Sequence, residues 1–301
     1  MNKITQLLKY NCFFTTLFLF FLVKLRLIDK NIVIELIRRK KARKLYKKYK
    51  KIIENSIKTD SSNLEKKDDY KKVIWTCWLQ GENNAPDLVK KCIESIRKKS
   101  NGWEVVVITE ENFNNYIELP DYLINKWKKG IITNTHFSDI LRCALLIQHG
   151  GIWIDSTCYL SDKIPQYVYE DNKKMFCFKH KYRNEDTIEF GSWFIFSQKN
   201  NRLLELAFKL ECEYWKEHNY LADYFLFHIF IYICKDYYKN IWDIKPNLSD
   251  VYPHEYNRLF NEPFDEKLLR LTMNNSFIHK LSNKNKNKGK NTFYNLFFKE
   301  K

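Results

Sequence analysis

The chain has 301 residues, 45% hydrophobic and 16% aromatic, with seven glycines and six prolines. That is enough apolar material for one large core, and too little glycine and proline for a linker-rich or disordered chain. The formal charge of +16 sits at the two ends, because Lys24–Lys51 holds 13 basic and 2 acidic residues, 280–301 holds 7 and 1, and Lys3 and Lys9 add two more charges, leaving 52–279 at −3; nucleic acid, which wants a basic folded face, is therefore excluded as a partner.

In chain order, Cys12–Val23 is apolar over twelve residues, short of the roughly 20 a membrane-spanning helix needs. No small-residue cleavage site follows it. Ile32–Ile37 and then Arg38–Lys44 read as a basic amphipathic helix suited to anionic lipid, each surface Lys or Arg contributing about 1 kcal/mol. Residues 1–54 are thus expected to form a membrane-associating helical arm. Its lysines would hold the chain at the cytoplasmic, inner face of the plasma membrane. Polar, aperiodic 55–71 reads as a linker.

The folded domain is expected over 72–282. Val73–Leu79 is a short apolar run with polar flanks, a buried strand. Pro86 fits a first helical turn, and Leu88, Val89, Cys92, Ile93 and Ile96 form that helix's apolar stripe. Asn101-Gly102 turns into a strand from Trp103 to Thr109. A helix from Ser138 to His149 then meets a glycine pair and the strand Ile152–Asp155. Ser138 is the expected N-cap, Asp139 sits at the positive end of the dipole, and Gly150 and Gly151 end the helix. Met175–Phe178 and Ser192–Ser197 read as strands, Asn201–Glu217 and Leu221–Lys235 as helices. Beyond Asp236 the periodicity weakens, and 283–301, rich in Asn and Lys, reads as a basic, disordered tail. The alternation predicts an α/β fold, a mainly parallel mixed sheet flanked by helices. The eight cysteines show no CxxC pair or zinc-type spacing, which points to reduced, buried thiols.

The chemistry concentrates in Ser138-Asp-Ile-Leu-Arg-Cys-Ala-Leu-Leu-Ile-Gln-His-Gly-Gly-Ile-Trp-Ile-Asp155. Asp139 and Arg142 share a helix face, and Asp155 is delivered beyond the carboxyl end of a strand, where α/β sheets bind ligands. Alone, the first two would be an ion pair worth about 0.3–0.5 kcal/mol. The pattern S-D-x-x-R-x-x-x-L-x-x-x-G-G-[IV]-[WY]-x-D resembles the donor site of the family 32 sugar transferases and the related bacterial capsular polysaccharide synthesis proteins. Ile74–Gly81, Pro86–Ser95, Asp223–His228 and His279–Leu281 resemble outlying blocks of those families, so the resemblance spans roughly 72–282.

The resemblance implies a GT-A nucleotide-sugar fold. It implies sugar transfer from a nucleotide-diphosphate donor to a growing cell-surface or capsular glycan, free or lipid-linked, with retention of configuration. By position, Asp139 and Arg142 would contact the donor sugar and ribose, Trp75, Trp78 and Gln80 the base, and Gly150 and Gly151 would complete the donor site. Asp155 would hold a divalent cation, Mn2+ or Mg2+, with Thr157 and His279 as further ligands, and Lys280 would meet phosphate. Asp223 and His228 would lie on the acceptor side. Related families show D-x-D where this chain has Asp155-Ser156-Thr157, and D-[AS]-T is the form of the capsular branch. With one carboxylate, metal would arrive mainly with the donor. The missing acid also leaves open a catalytically silent nucleotide-sugar-binding or scaffold protein. His136 and His149 read as structural. The absence of a Gly-rich phosphate loop, a G-x-S-x-G elbow and HExxH removes kinase, hydrolase and zinc-protease readings.

Overall fold

The computed structural model describes residues 13–62, 70–169, 174–180, 185–244, 246–285 and 289–299. It opens with two helices, α1 (Phe13–Lys24) and α2 (Lys30–Ser62), and then alternates through β1 (Val73–Cys77), α3 (Asp87–Lys99), β2 (Glu104–Ile108), α4 (Asp121–Lys128), α5 (Asn134–His149) and β3 (Gly151–Ile154). There follow β4 (Cys158–Leu160), β5 (Met175–Lys179), β6 (Phe190–Ser197), α6 (Arg202–Glu217), α7 (Leu226–Cys234) and the short α8 (Lys239–Trp242). The chain closes with α9 (Val251–Leu259), α10 (Glu266–Asn275), β7 (Ile278–Lys280) and α11 (Phe293–Lys299).

Five strands form one mixed sheet, ordered β2-β1-β3-β6-β5. β1 lies parallel to both β2 and β3, while β6 runs antiparallel to β3 and β5. The α/β class is the one the alternation predicts, with the parallel half built from the strand–helix–strand units. Period two sorts β2 between layers: Val106 and Ile108 enter the main core, whereas Val107 packs with Val89 and Ile93 of α3. β4 and β7 pair antiparallel as a separate ribbon, which weak local periodicity does not foretell.

Gly150 and Gly151 adopt φ of +68° and +97°. A Cβ on Gly151 would lie 2.5 Å from the Val73 carbonyl oxygen, and one on Gly150 2.7 Å from Tyr70 Cβ. Only glycine allows both the conformation and the approach, so the pair sets the start of β3 against the segment entering β1.

Several boundaries differ from the sequence reading. α5 begins before Ser138: Thr133 caps it by accepting from the His136 amide, and Ser138 Oγ instead donates to the Thr135 carbonyl inside the helix. Phe137 supplies the reason, stacked on Trp127 with ring centroids 4.2 Å apart and fully buried; that burial outweighs the local capping preference. α7 begins at Leu226 rather than Leu221, which leaves Asp223 in the preceding loop.

The basic arm is the larger difference. α2 runs unbroken past residue 55, where the linker was expected. Val33, Ile37, Ala42, Leu45, Tyr49 and Ile53, spaced for one helix face, are buried in the main core, with α6 and α7 as neighbours. Polar groups fasten the same face: Lys41 Nζ lies 2.7 Å from Asp223 Oδ2, Arg38 Nη1 3.3 Å from Glu185 Oε1, and Thr187 Oγ1 donates to Glu35 Oε2 at 2.5 Å. Of the apolar positions assigned to lipid on α2, Val33 and Ile37 are core positions and Ile34 is half-buried, while Ile32 and Leu36 stay exposed. At the other end, α11 buries Phe293 and Phe297 against Tyr256 of α9 and Phe260 just after it, so that part of the expected disordered tail is folded.

Candidate functional site

β1 and β3 are parallel neighbours, so their carboxyl ends open on the same edge of the sheet, the usual position for a ligand crevice. Trp153 and Asp155, two apart along β3, project to one side, and the Trp153 indole N–H donates to Asp155 Oδ1 at 2.9 Å. Arg142 reaches across from α5. One guanidinium nitrogen, Nη1, pairs with Asp139 Oδ1, the other, Nη2, lies 3.1 Å from Asp155 Oδ1, and its Cζ sits 4.8 Å over the Trp153 ring. A planar fork bridging two carboxylates while lying on an indole is a geometry lysine could not supply. From the ribbon, Lys280 Nζ lies 2.9 Å from Asp155 Oδ2 and 2.6 Å from Thr157 Oγ1. The turn between β3 and β4 is closed by the Cys158 amide donating to the Asp155 carbonyl at 2.9 Å, which holds Asp155 and Thr157 on one small loop.

These contacts set the charges. Burial alone would raise the Asp155 carboxyl, yet Lys280 and Arg142 hold it at about 2. Burial would depress the Lys280 ammonium, but Asp155 keeps it above its ordinary value. Burial lifts Asp139, against the pull of Arg142 and His136. Behind this pair lies a group the sequence reading missed: Glu211 of α6, buried, its Oε2 without a partner among the described residues. Burial and the neighbouring Asp139 push its carboxyl well above the ordinary range, which favours the neutral form. Its spacing looks like any surface-facing helical acid, and no local signal marks it.

Asp139, Arg142, Asp155, Thr157 and Lys280 therefore converge. Trp78 and Gln80 follow the carboxyl end of β1, beside Cys77, whose thiol is raised to about 12 by burial and by Asp155. Trp78 is half-buried against the α3 cluster, and Gln80 is exposed. Trp75 does not reach this crevice: its indole N–H donates to the Gly150 carbonyl at 3.0 Å, and its ring packs against Tyr116 and His149. Gly150 and Gly151 lie with it at the opposite end of β3, about 13 Å of strand away from Asp155. Asp223 is occupied by Lys41 and Arg38, which makes it a clasp for α2 instead of an acceptor-side acid. His228 is buried between Phe190 and Phe225, and burial together with Arg142, His180 and Arg38 pushes it down to about 3.

His279 and Lys280 are adjacent on a strand and so face opposite ways. Lys280 enters the crevice. His279 is fully buried on the other side, its Nε2 3.0 Å from Ser161 Oγ and its ring against Tyr256, and burial lowers it to about 4. The set Asp155, Thr157 and His279 therefore does not gather around one point, and both Asp155 oxygens already have cationic partners. No group of three or more His, Cys, Asp or Glu suited to a metal ion occurs among the described residues. As arranged, the donor set does not fit a divalent cation.

A second cluster borders the crevice. His180 Nδ1 lies 2.5 Å from Asp250 Oδ2, the Asp250 carbonyl pairs with His254 Nδ1 at 2.7 Å, and the His254 ring stands edge-on to Trp193 at 5.7 Å. Lys280 is among the charges that act on His254. The Asp250/His254 spacing of four was the available clue in the sequence. Its helix, though, gave little periodic signal.

A polar cluster at the carboxyl ends of parallel strands is where α/β proteins usually place a ligand site. The chain belongs to the capsular polysaccharide synthesis protein family, which it matches over residues 26–298. That span includes α2 and most of α11. It is 29% identical over 98 residues to the O-glycosyltransferase braB of Annulohypoxylon truncatum, covering 30% of this chain and 23% of that protein. It is 30% identical over 91 residues to the glycosyltransferase afumC of Aspergillus fumigatus, covering 27% and 23%. The chain thus spans less than a quarter of the length of these curated relatives. Among solved structures it is similar to the PaToxG glycosyltransferase at 14% identity and a TM-score of 0.39, over 70% of this chain and 82% of that one.

Proposed function

We propose that this chain is a GT-A-type glycosyltransferase that moves a sugar from a nucleotide-diphosphate donor to a cell-surface or capsular glycan. The observation that carries this reading is the Arg142 fork held between Asp139 and Asp155 at the mouth of the parallel strands. Two acids and a guanidinium offer the fixed donors and acceptors that sugar hydroxyls need. Arg142 is also placed to meet negative charge on a departing diphosphate, the kind of preorganised stabilisation that dominates many transfers. In front-face, retaining transfer the acceptor oxygen bonds to the anomeric carbon as the carbon–phosphate oxygen bond breaks, and the departing phosphate takes the acceptor proton. No separate base is required.

A groove of about 680 Å3 lies next to the His180–Asp250 cluster, between Phe178, Tyr252 and Phe277. Exposed Tyr252 and Tyr167 give it aromatic faces suited to sugar rings, and it is our candidate acceptor site. Membrane attachment falls to α1, which keeps Phe14, Leu17, Phe18 and Phe21 between 55% and 78% exposed. Among the described residues no helix is long and apolar enough to cross a membrane, and α1 is suited to lying within the inner-leaflet surface. Vesicles containing anionic lipid should float the full chain, and a Leu17→Ser/Phe18→Ser variant should stay behind; equal flotation would remove α1 from the proposal.

The transferase reading is tested by incubating the full chain with a panel of nucleotide sugars and isolated cell-surface glycan, following release of nucleoside diphosphate. One donor should be consumed, and Asp155→Asn should lose the activity at least tenfold. Binding of a donor without turnover, with acceptor present, would favour the silent binding protein. Full activity in Asp155→Asn would end the assignment.

A further inference from the structure

We propose that the Lys280 ammonium stands where a divalent cation would, and that this chain engages its donor diphosphate without metal. The inference rests on the transferase reading above. Lys280 Nζ joins Asp155 Oδ2 at 2.9 Å to Thr157 Oγ1 at 2.6 Å. These are the two oxygens of the Asp155-Ser156-Thr157 turn that a metal would have to share. The remaining carboxylate oxygen, Oδ1, already accepts from Arg142 and Trp153. A divalent ion entering here would displace an ammonium whose side chain is only 21% exposed, leaving a largely buried cation without its partner. That is a strongly unfavourable exchange.

Strand parity closes the other route. β7 pairs Lys280 opposite Cys158 and His279 opposite Tyr159, so an imidazole could reach the crevice only if the ribbon slipped by one residue. Such a slip would turn Lys280 out and break the pairing.

The charge balance agrees. Asp139 and Asp155 compensate Arg142 and Lys280 across the crevice, so the site is near neutral. An ammonium has three donors, of which Asp155 and Thr157 take two, leaving a third for a phosphate oxygen. Arg142 offers the second positive group. Lys280 acts as a fixed charge throughout: the bond from the anomeric carbon to the phosphate oxygen breaks, the acceptor oxygen replaces it, and the acceptor proton goes to the departing phosphate. The ammonium keeps its own proton.

The experiment is calorimetric titration of the full chain with uridine, guanosine, cytidine and adenosine diphosphates, once in EDTA and once in Mn2+. One nucleotide should bind with the same affinity in both buffers. Lys280→Met should weaken that binding by about tenfold or more, and Lys280→Arg, which keeps the charge, should restore most of it. Binding by the unaltered chain that requires Mn2+ would overturn the proposal, and so would Lys280→Met with unchanged affinity. If Lys280→Met does not fold, the comparison of EDTA with Mn2+ on the unaltered chain decides. Failure of every nucleotide to bind in either buffer would instead refute the transferase reading, and this inference with it.

Discussion

Replacing Asp155 by asparagine keeps the shape of the side chain and removes its charge. In the folded protein the carboxyl titrates at about 2, against an ordinary 3.8, because Lys280 and Arg142 overcome the cost of burial. A difference of that size corresponds to roughly 2 kcal/mol. The side chain is 27% exposed, so solvent screening trims this figure without erasing it. Arg142, 3% exposed, keeps Asp139 as a partner, whereas Lys280 loses its carboxylate. The expected loss is therefore about 2 kcal/mol at neutral pH, below the cost of stranding a buried charge outright. A carboxyl with a depressed folded-state value stabilises the protein above its unfolded value and ceases to do so as pH falls through the folded one. Urea unfolding of both proteins, followed by tryptophan fluorescence, should show the full gap at about pH 7 and about pH 5, shrinking below about pH 4. Equal stability at neutral pH would refute the argument, as would a gap that widens on acidification.

Three further substitutions test other parts of the structure. Glu211→Gln should change unfolding free energy by less than about 1 kcal/mol, because burial favours the neutral carboxyl; a loss above about 2 kcal/mol would mean that it is ionised. Gly151→Ala places a Cβ 2.5 Å from the Val73 carbonyl at a φ of +97°. It should cost about 2–3 kcal/mol in a denaturation experiment, and an unchanged midpoint would contradict the close approach. Asp223→Ala should cost about 1–3 kcal/mol by stranding Lys41 on α2, Arg38 keeping Glu185, with nucleotide affinity of the folded protein unaltered. A tenfold loss of affinity would return Asp223 to the ligand site.

What was legible in the sequence depended on how far apart the partners lie. Asp139, Arg142 and Asp155 fall within one helix–glycine–strand unit, so helical spacing and the strand's end bring them together with little help from the rest of the fold. Lys280 is different. Its role depends on the β4–β7 ribbon, whose strands are more than a hundred residues apart and three residues long. In His279-Lys280 either side chain could have faced the crevice, and only the register decides which. Trp75 and Trp78 pose the same problem three residues apart, where parity and the Gly150 carbonyl draw Trp75 into the core. For α2, an apolar helix face reads identically whether lipid or protein covers it. The partners that settle it, Glu185 and Asp223, lie about 150 and 180 residues downstream. The D-S-T turn now has a physical account. A second carboxylate there would compete with Thr157 for Lys280 and add negative charge beside a diphosphate, so the missing acid and the inward lysine amount to one arrangement. A cation that is part of the chain needs fewer acids to hold it than one that must be captured from solution.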